Sequence, residues 1–150
     1  MYKAHINDAT KKVQSIKEHS ENTALLCEQY SISELKKITF LIGLLHDIGK
    51  YQYSFQERIN GKNIKVEHST CGAIEAGKKY KSALAIIIMY CIAGHHTGIP
   101  NGGFPTDSQD MPTLMGRIKR KFENYYEYEK ELNIPDIDSK EFGNLIAKDC

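Results

Sequence analysis

The stretch Leu44-Leu45-His46-Asp47-Ile48-Gly49-Lys50 sets a histidine and an aspartate side by side at the end of an apolar helical run. Adjacent residues on a helix point about 100° apart, so two such side chains converge only on something seated at the rim between them. A metal ion is such an object. Imidazole nitrogen with carboxylate oxygen suits a borderline divalent cation such as Mn, Fe, Co, Ni or Zn, and the two oxygens of Asp47 allow it to bridge two ions. Gly49 fits as a helix-stopping C′ residue, with Lys50 opening the exit loop beside the site. Taken alone, His46-Asp47 reads more simply as a helix-end histidine and a solvated carboxylate, because the dipeptide is common by chance. The other five histidines change the odds.

Upstream, Leu35, Ile38, Leu41, Ile42 and Leu45 form an apolar stripe, widened by Leu44 and Ile48, that predicts a central and largely buried helix. Ser31-Ile32-Ser33-Glu34 has the capping-box spacing that would open it. Residues 8–30 also carry a helical pattern through Val13, Ile16, Ala24, Leu25 and Cys27, with His19 inside it. His5 precedes this helix in a segment whose conformation the pattern leaves open. Downstream, a short helix is expected over 51–58, then a turn at Asn60-Gly61-Lys62-Asn63. His68 stands at the start of a small-residue helix through Cys71, Ala73, Ile74 and Ala76. Ser82 can cap an apolar helix over 83–94 that reads as buried and ends in Gly94-His95-His96.

The loop 97–110 contains Pro100, Gly102, Gly103 and Pro105 and should be irregular and exposed. A charged helix is expected over 112–132, with Pro112 in its first turn. Along it Arg117, Lys119, Arg120 and Lys121 precede Tyr125, Tyr126 and Tyr128. Pro135 breaks it, and Ser139 opens a last short helix with Phe142, Leu145 and Ile146. No strand pattern emerges, so the expected fold is all-α.

The 150 residues suffice for one domain with a real core, and residues 1–150 are read as a single unit. With 41% hydrophobic and 26% charged residues the composition is globular, and a formal net charge of +1 removes any global basic field for nucleic acid. The longest apolar stretch, 83–93, is about half of what crosses a bilayer, and the N-terminus has no signal core, so no membrane partner is expected. Cys27, Cys71, Cys91 and Cys150 form no CxxC pair, which fits reduced thiols in a cytoplasmic protein.

His19, His46, His68, His95 and His96 all fall on helices or at helix ends, and a helical domain can gather such positions around one cavity. With Asp47 they supply six ligands, more than one ion of this type needs alongside water. Two ions roughly 3.5–4 Å apart clamp the attacking and leaving oxygens of a phosphoryl displacement and activate water near neutral pH. Lys50 could neutralise charge on a phosphate oxygen or donate a proton. The chemistry implied is phosphate-ester hydrolysis. Each residue has a quieter reading: His19 on a charged surface, His68 as an ordinary helix start, His95, His96 and Lys50 capping carbonyls at helix C-termini. Five separate explanations are then needed in place of one.

In order, His19, the His46-Asp47-Ile48-Gly49-Lys50 motif, His68-Ser69 and Gly94-His95-His96-Thr97-Gly98-Ile99-Pro100 resemble the HD phosphohydrolase superfamily. With Ala4-His5 and Phe55-Gln56 they are similar, over about residues 4–103, to the HD nuclease domain of the CRISPR-associated helicase-nuclease of type I systems. The resemblance implies an HD-domain helical bundle and a nuclease acting on single-stranded DNA. It implies one or two divalent ions, of Mn, Ni, Co, Fe, Mg or Zn. His19, His46 and Asp47 would hold one ion and His68, His95 and His96 the other, with Asp47 between them and Lys50 assisting catalysis. Implied partners are single-stranded DNA, a helicase subunit or domain, and the CRISPR surveillance complex. The family places a further aspartate on a late helix, and the resemblance therefore implies a fragment or short member lacking it. Asp107, Asp110, Asp136, Asp138 and Asp149 are substitutes in non-matching contexts. The basic run at 117–121 with its tyrosines could contact bases, but such a run is more often a solvated helix face.

Overall fold

Leu41, Leu44, Leu45 and Ile48 are almost completely buried, and the helix that carries the first three, α2 (Lys36–Leu45), is the post around which the other elements stand. The computed structural model describes residues 1–80 and 83–138. Within them α1 (Ile16–Gln29) lies along α2, while α4 (Ser69–Lys79) and α5 (Ala83–Gly94) pack on each other and both meet α2. Leu84, Ile88 and Ile92 of α5 close the core from the far side. Each fully buried Leu or Ile is worth about 1.5–3 kcal/mol over its exposed state. Surface pairs such as Lys17 with Glu21 are worth about 0–1 kcal/mol, so the core and not the charged surface holds the bundle.

The mostly helical fold is the one expected, with boundaries that differ in instructive ways. Residues 8–15 are not helical. Lys3–Ile6 (β1) and Val13–Ser15 (β2) pair antiparallel as a small hairpin. Its turn is set by Asn7, whose Oδ1 accepts from the amides of Ala9 and Thr10, and by Lys11 at φ 56°. The turn chemistry of Asn-Asp outweighs the helical spacing of Val13 and Ile16. α1 opens instead at Ser15, whose Oγ accepts from the amide of Glu18 at 3.1 Å. Ser15-x-x-Glu18 has the same spacing as Ser31-x-x-Glu34. The latter caps nothing: Ser33 Oγ donates to Glu34, and Ser33–Leu35 is a 3-10 turn ahead of α2.

Gly49 is not a C′ residue in the left-handed region. It lies inside a 3-10 turn, Ile48–Tyr51, and glycine is required there because a Cβ would collide with the backbone of His68. The α5 helix is not buried all round, since Ile86, Ile87 and Cys91 face solvent. The expected cap at Ser82 and the last helix from Ser139 lie outside the described residues.

The long helix over 112–132 does not form. Only α6 (Leu114–Arg117), capped by Thr113, and α7 (Tyr128–Glu131) are helical there, and α3 (Tyr53–Ile59) precedes them between the 3-10 turn and α4. The basic residues explain the break. Arg117 is buried, with Nε donating to Thr70 Oγ1 at 3.1 Å and Nη2 to Ser69 Oγ at 2.9 Å. Lys119 folds back onto the carbonyls of Pro105 and Asp107, and Arg120 onto that of Gln109. Lys119 and Arg120 therefore fasten the 97–110 loop, while Arg117 ties its own segment to the start of α4. Tyr125 and Tyr128 are buried, and their hydroxyls reach Glu75, so they are not platforms for bases.

α1 packs closely on α2. A Cβ at Gly43 would stand 2.5 Å from Ala24 Cα, and Ile16, Ser20 and Ala24 give α1 a largely small-residue contact face. Gly43→Ala must push the two backbones apart, and a loss of about 1–3 kcal/mol is expected in urea unfolding. An unchanged midpoint would contradict this packing.

Candidate metal centre

Asp47 follows the last turn of α2 and is 2% exposed, a carboxylate carried into the interior by a helix that is otherwise apolar. Burying an unpartnered charge costs several kcal/mol, so its surroundings must supply compensation. They do so from five parts of the chain. Oδ2 lies 2.8 Å from Lys50 Nζ, 3.0 Å from His19 Nε2 of α1 and 3.1 Å from His46 Nε2. Oδ1 lies 3.4 Å from His68 Nε2, at the start of α4, and 3.4 Å from His95 Nε2, at the end of α5. His96 completes the second side through His68, with the two Nε2 atoms 2.8 Å apart. All six residues expected at a shared centre, and Lys50, thus stand together, and each carboxylate oxygen faces its own set of imidazoles.

The ring nitrogens cannot all be satisfied by one another. His46 Nδ1 lies 2.7 Å from the Gly43 carbonyl and His95 Nδ1 lies 2.7 Å from the Ile92 carbonyl. A carbonyl only accepts, so both Nδ1 atoms carry the proton, and in the neutral rings both Nε2 atoms present lone pairs to Asp47. A lone pair facing a carboxylate is repulsive, so the contact is favourable only with the ring protonated or with a cation between the two. Asp47 Oδ1 and His68 Nδ1 are moreover buried without a hydrogen-bond partner. Ligand atoms about 2.0–2.2 Å from one ion stand about 2.8–3.6 Å from each other, depending on coordination number. The separations here run from 2.8 to 3.4 Å. Donor types, tautomers and spacing therefore fit a divalent ion. Two groupings of ligand atoms emerge among the described residues: Asp47 with His68, His95 and His96, and Asp47 with His5 and His19.

Burial raises the pKa of Asp47, but hydrogen bonds that His19, His46, His68 and His95 donate when protonated outweigh it and hold the carboxyl well below its usual range. The neutral rings offer lone pairs in place of those protons, so at neutral pH the carboxylate depends on a cation there. Burial lowers the pKa of His96, with help from His95 and His68. Burial and then Lys50 lower that of His5. Both histidines are thereby kept in the neutral form that binds metal.

His5 is the residue whose place the pattern left open. The β1 strand carries it to 3.2 Å from Lys50 Nζ, with its ring edge-on to His19 at 4.6 Å between centroids. Phe55-Gln56 carried the family resemblance without showing what the pair does, and Glu67 carried no sequence signal. Gln56 accepts from the Lys3 amide and donates to the carbonyls of Lys3 and Lys50, which ties the hairpin to the centre. Phe55 packs edge-on against the His68 ring. Glu67 Oε1 accepts from the Thr70 amide and Ser69 Oγ at the start of α4, next to His68, and Arg117 lies against it. None of the late aspartates joins the cluster where the structure describes them: Asp107 accepts from Thr113 and Asp136 pairs with Lys79. Asp149 lies outside the described residues.

Residues 16–142 match the HD domain family. The match spans well over half of the chain, and the chain belongs to that family. HD domains are typically metal-dependent hydrolases that bind divalent ions, which agrees with the His and Asp cluster. No curated protein matches the chain. Among the described residues no helix is long and apolar enough to cross a membrane.

Substituting His95 or His96 by Ala should lower the metal content of the purified protein, read by elemental analysis after loading with Mn²⁺ or Ni²⁺. Unchanged stoichiometry in both variants would remove those residues from the ligand set.

Proposed function

We propose that the chain is a metal-dependent phosphodiesterase that cleaves single-stranded DNA, as the HD nuclease domain of a type I CRISPR interference system. Its partners would then be a helicase subunit or domain and the surveillance complex, in the cytoplasm. The observation that carries the hydrolytic part is the division of Asp47: His19, His46 and Lys50 on Oδ2, His68 and His95 on Oδ1. The nuclease part is supported by the motif order and by the work done by the branch-specific residues. His5, Phe55 and Gln56 border or brace the centre.

In this reading His19, His46 and Asp47 would hold one ion and His68, His95 and His96, with Asp47, a second. A bound divalent ion supplies Lewis-acid polarisation of the phosphoryl group and an activated water. The carbonyls of Gly43 and Ile92 hold the rings of His46 and His95 in the liganding tautomer, so no reorientation is needed when a substrate arrives. Lys50 is 3% exposed and held between Asp47, His5 and the Ala4 carbonyl. Its ammonium is fixed in place, where it can stabilise charge developing on a non-bridging phosphate oxygen.

A second reading, hydrolysis of free nucleotides, draws on the loss of Arg117, Lys119 and Arg120 to internal fastening, which leaves less basic surface for a strand. A third is a nucleic-acid-binding HD module with weak turnover. Labelled single-stranded DNA and a nucleotide panel, each with Mn²⁺ and with chelator, separate them: DNA degradation that chelator stops is the result expected. Release of phosphate or nucleoside alone would move the assignment to nucleotides, and binding without turnover to the third reading. Asp47→Ala should abolish hydrolysis, and full activity in that variant would overturn the centre.

A further inference from the structure

A cavity of about 380 Å³ opens on one flank of the centre. Lys50, His68 and His96 line it together with Phe55 and Arg58. Phe55 meets three of the others. Its ring packs against His68 at 5.0 Å between centroids, and Lys50 Nζ and Arg58 Cζ lie 5.5 and 5.9 Å from its centre. The two cations have different duties. Lys50 is buried on Asp47, whereas Arg58 is exposed at the end of α3 and pairs with no carboxylate among the described residues. Asp8 adds a carboxylate to the same cavity, so its wall is not a general anion trap and its one uncommitted cation is Arg58.

We propose that Arg58 is a specificity-determining residue that grips a phosphate of the substrate next to the one being hydrolysed, so that the centre favours phosphodiester chains over esters with a single phosphate. A guanidinium presents paired donors that match two phosphate oxygens, and stacking on Phe55 restricts the side chain before binding. Asp8 repels further phosphates on its side and so limits the path by which a strand can leave the cavity. This inference rests on the phosphodiesterase reading above and names the feature of the substrate that the site selects.

The test compares wild type with Arg58→Gln and Arg58→Lys. Binding is read as fluorescence anisotropy of a fluorescein-labelled short oligothymidylate with Ca²⁺, and hydrolysis with Mn²⁺ on that oligonucleotide and on bis(p-nitrophenyl) phosphate, which has no second phosphate. In Arg58→Gln, affinity for the oligonucleotide should fall about tenfold and the slope of log affinity against log salt by about 0.7, with partial recovery in Arg58→Lys. Hydrolysis of bis(p-nitrophenyl) phosphate should fall by a much smaller factor than hydrolysis of the oligonucleotide. Unaltered affinity and slope, equal loss on both hydrolysis substrates, or a wild type that does not bind the oligonucleotide would each overturn the role of Arg58. Arg58-dependent binding with no hydrolysis of either substrate would instead overturn the phosphodiesterase reading and leave the phosphate subsite standing.

Discussion

One buried negative charge organises this molecule. Asp47 sits where hydrophobic side chains would be cheaper, and a carboxylate in that position is tolerated only if partners reach it from several directions. The rest of the fold can be understood as the means of bringing them. The small-residue face of α1 lets that helix approach α2 closely enough for His19 to meet Oδ2. Gly49 lets the chain after Asp47 pass beneath the backbone of His68. The end of α5 brings two more imidazoles, and the hairpin brings His5 against Lys50.

Compensation is incomplete without a further cation. Lys50 answers one oxygen of the carboxylate, while the other has imidazole neighbours and no hydrogen bond. Two of the rings have their protons committed to backbone carbonyls on the outside, which leaves unshared pairs pointing inward. Such an arrangement is strained for a metal-free interior and relaxed for a metal centre, as expected of an HD domain. The same geometry leaves an open flank, and the charges along it are sparse and individually placed.

The departures from the expected helices share a cause. The helix expected over 8–30 begins only at Ile16, and the charged helix expected over 112–132 shrinks to Leu114–Arg117 and Tyr128–Glu131, because in each stretch a polar side chain has a better local or distant partner. Asn7 turns the chain on its own backbone, and Arg117 leaves the helix path to reach Thr70 and Ser69, nearly fifty residues away in the chain. A hydrophobic pattern records what wants to leave water. It does not record which hydrogen-bond partner a polar residue will find once folded.

The amino-acid sequence determined by itself the central helix, the apolar helix over 83–94, the helical class and the identity of the residues that meet at Asp47. Those are properties of periodicity and of motif, and periodicity survives without tertiary context. Only the three-dimensional structure decided that each oxygen of Asp47 faces a different set of rings, that His5 belongs beside Lys50, and that Lys119 and Arg120 tie down a loop. These depend on distances between residues far apart in the chain, which are set by the close packing of backbones at Gly43 and Gly49 and not by any local preference.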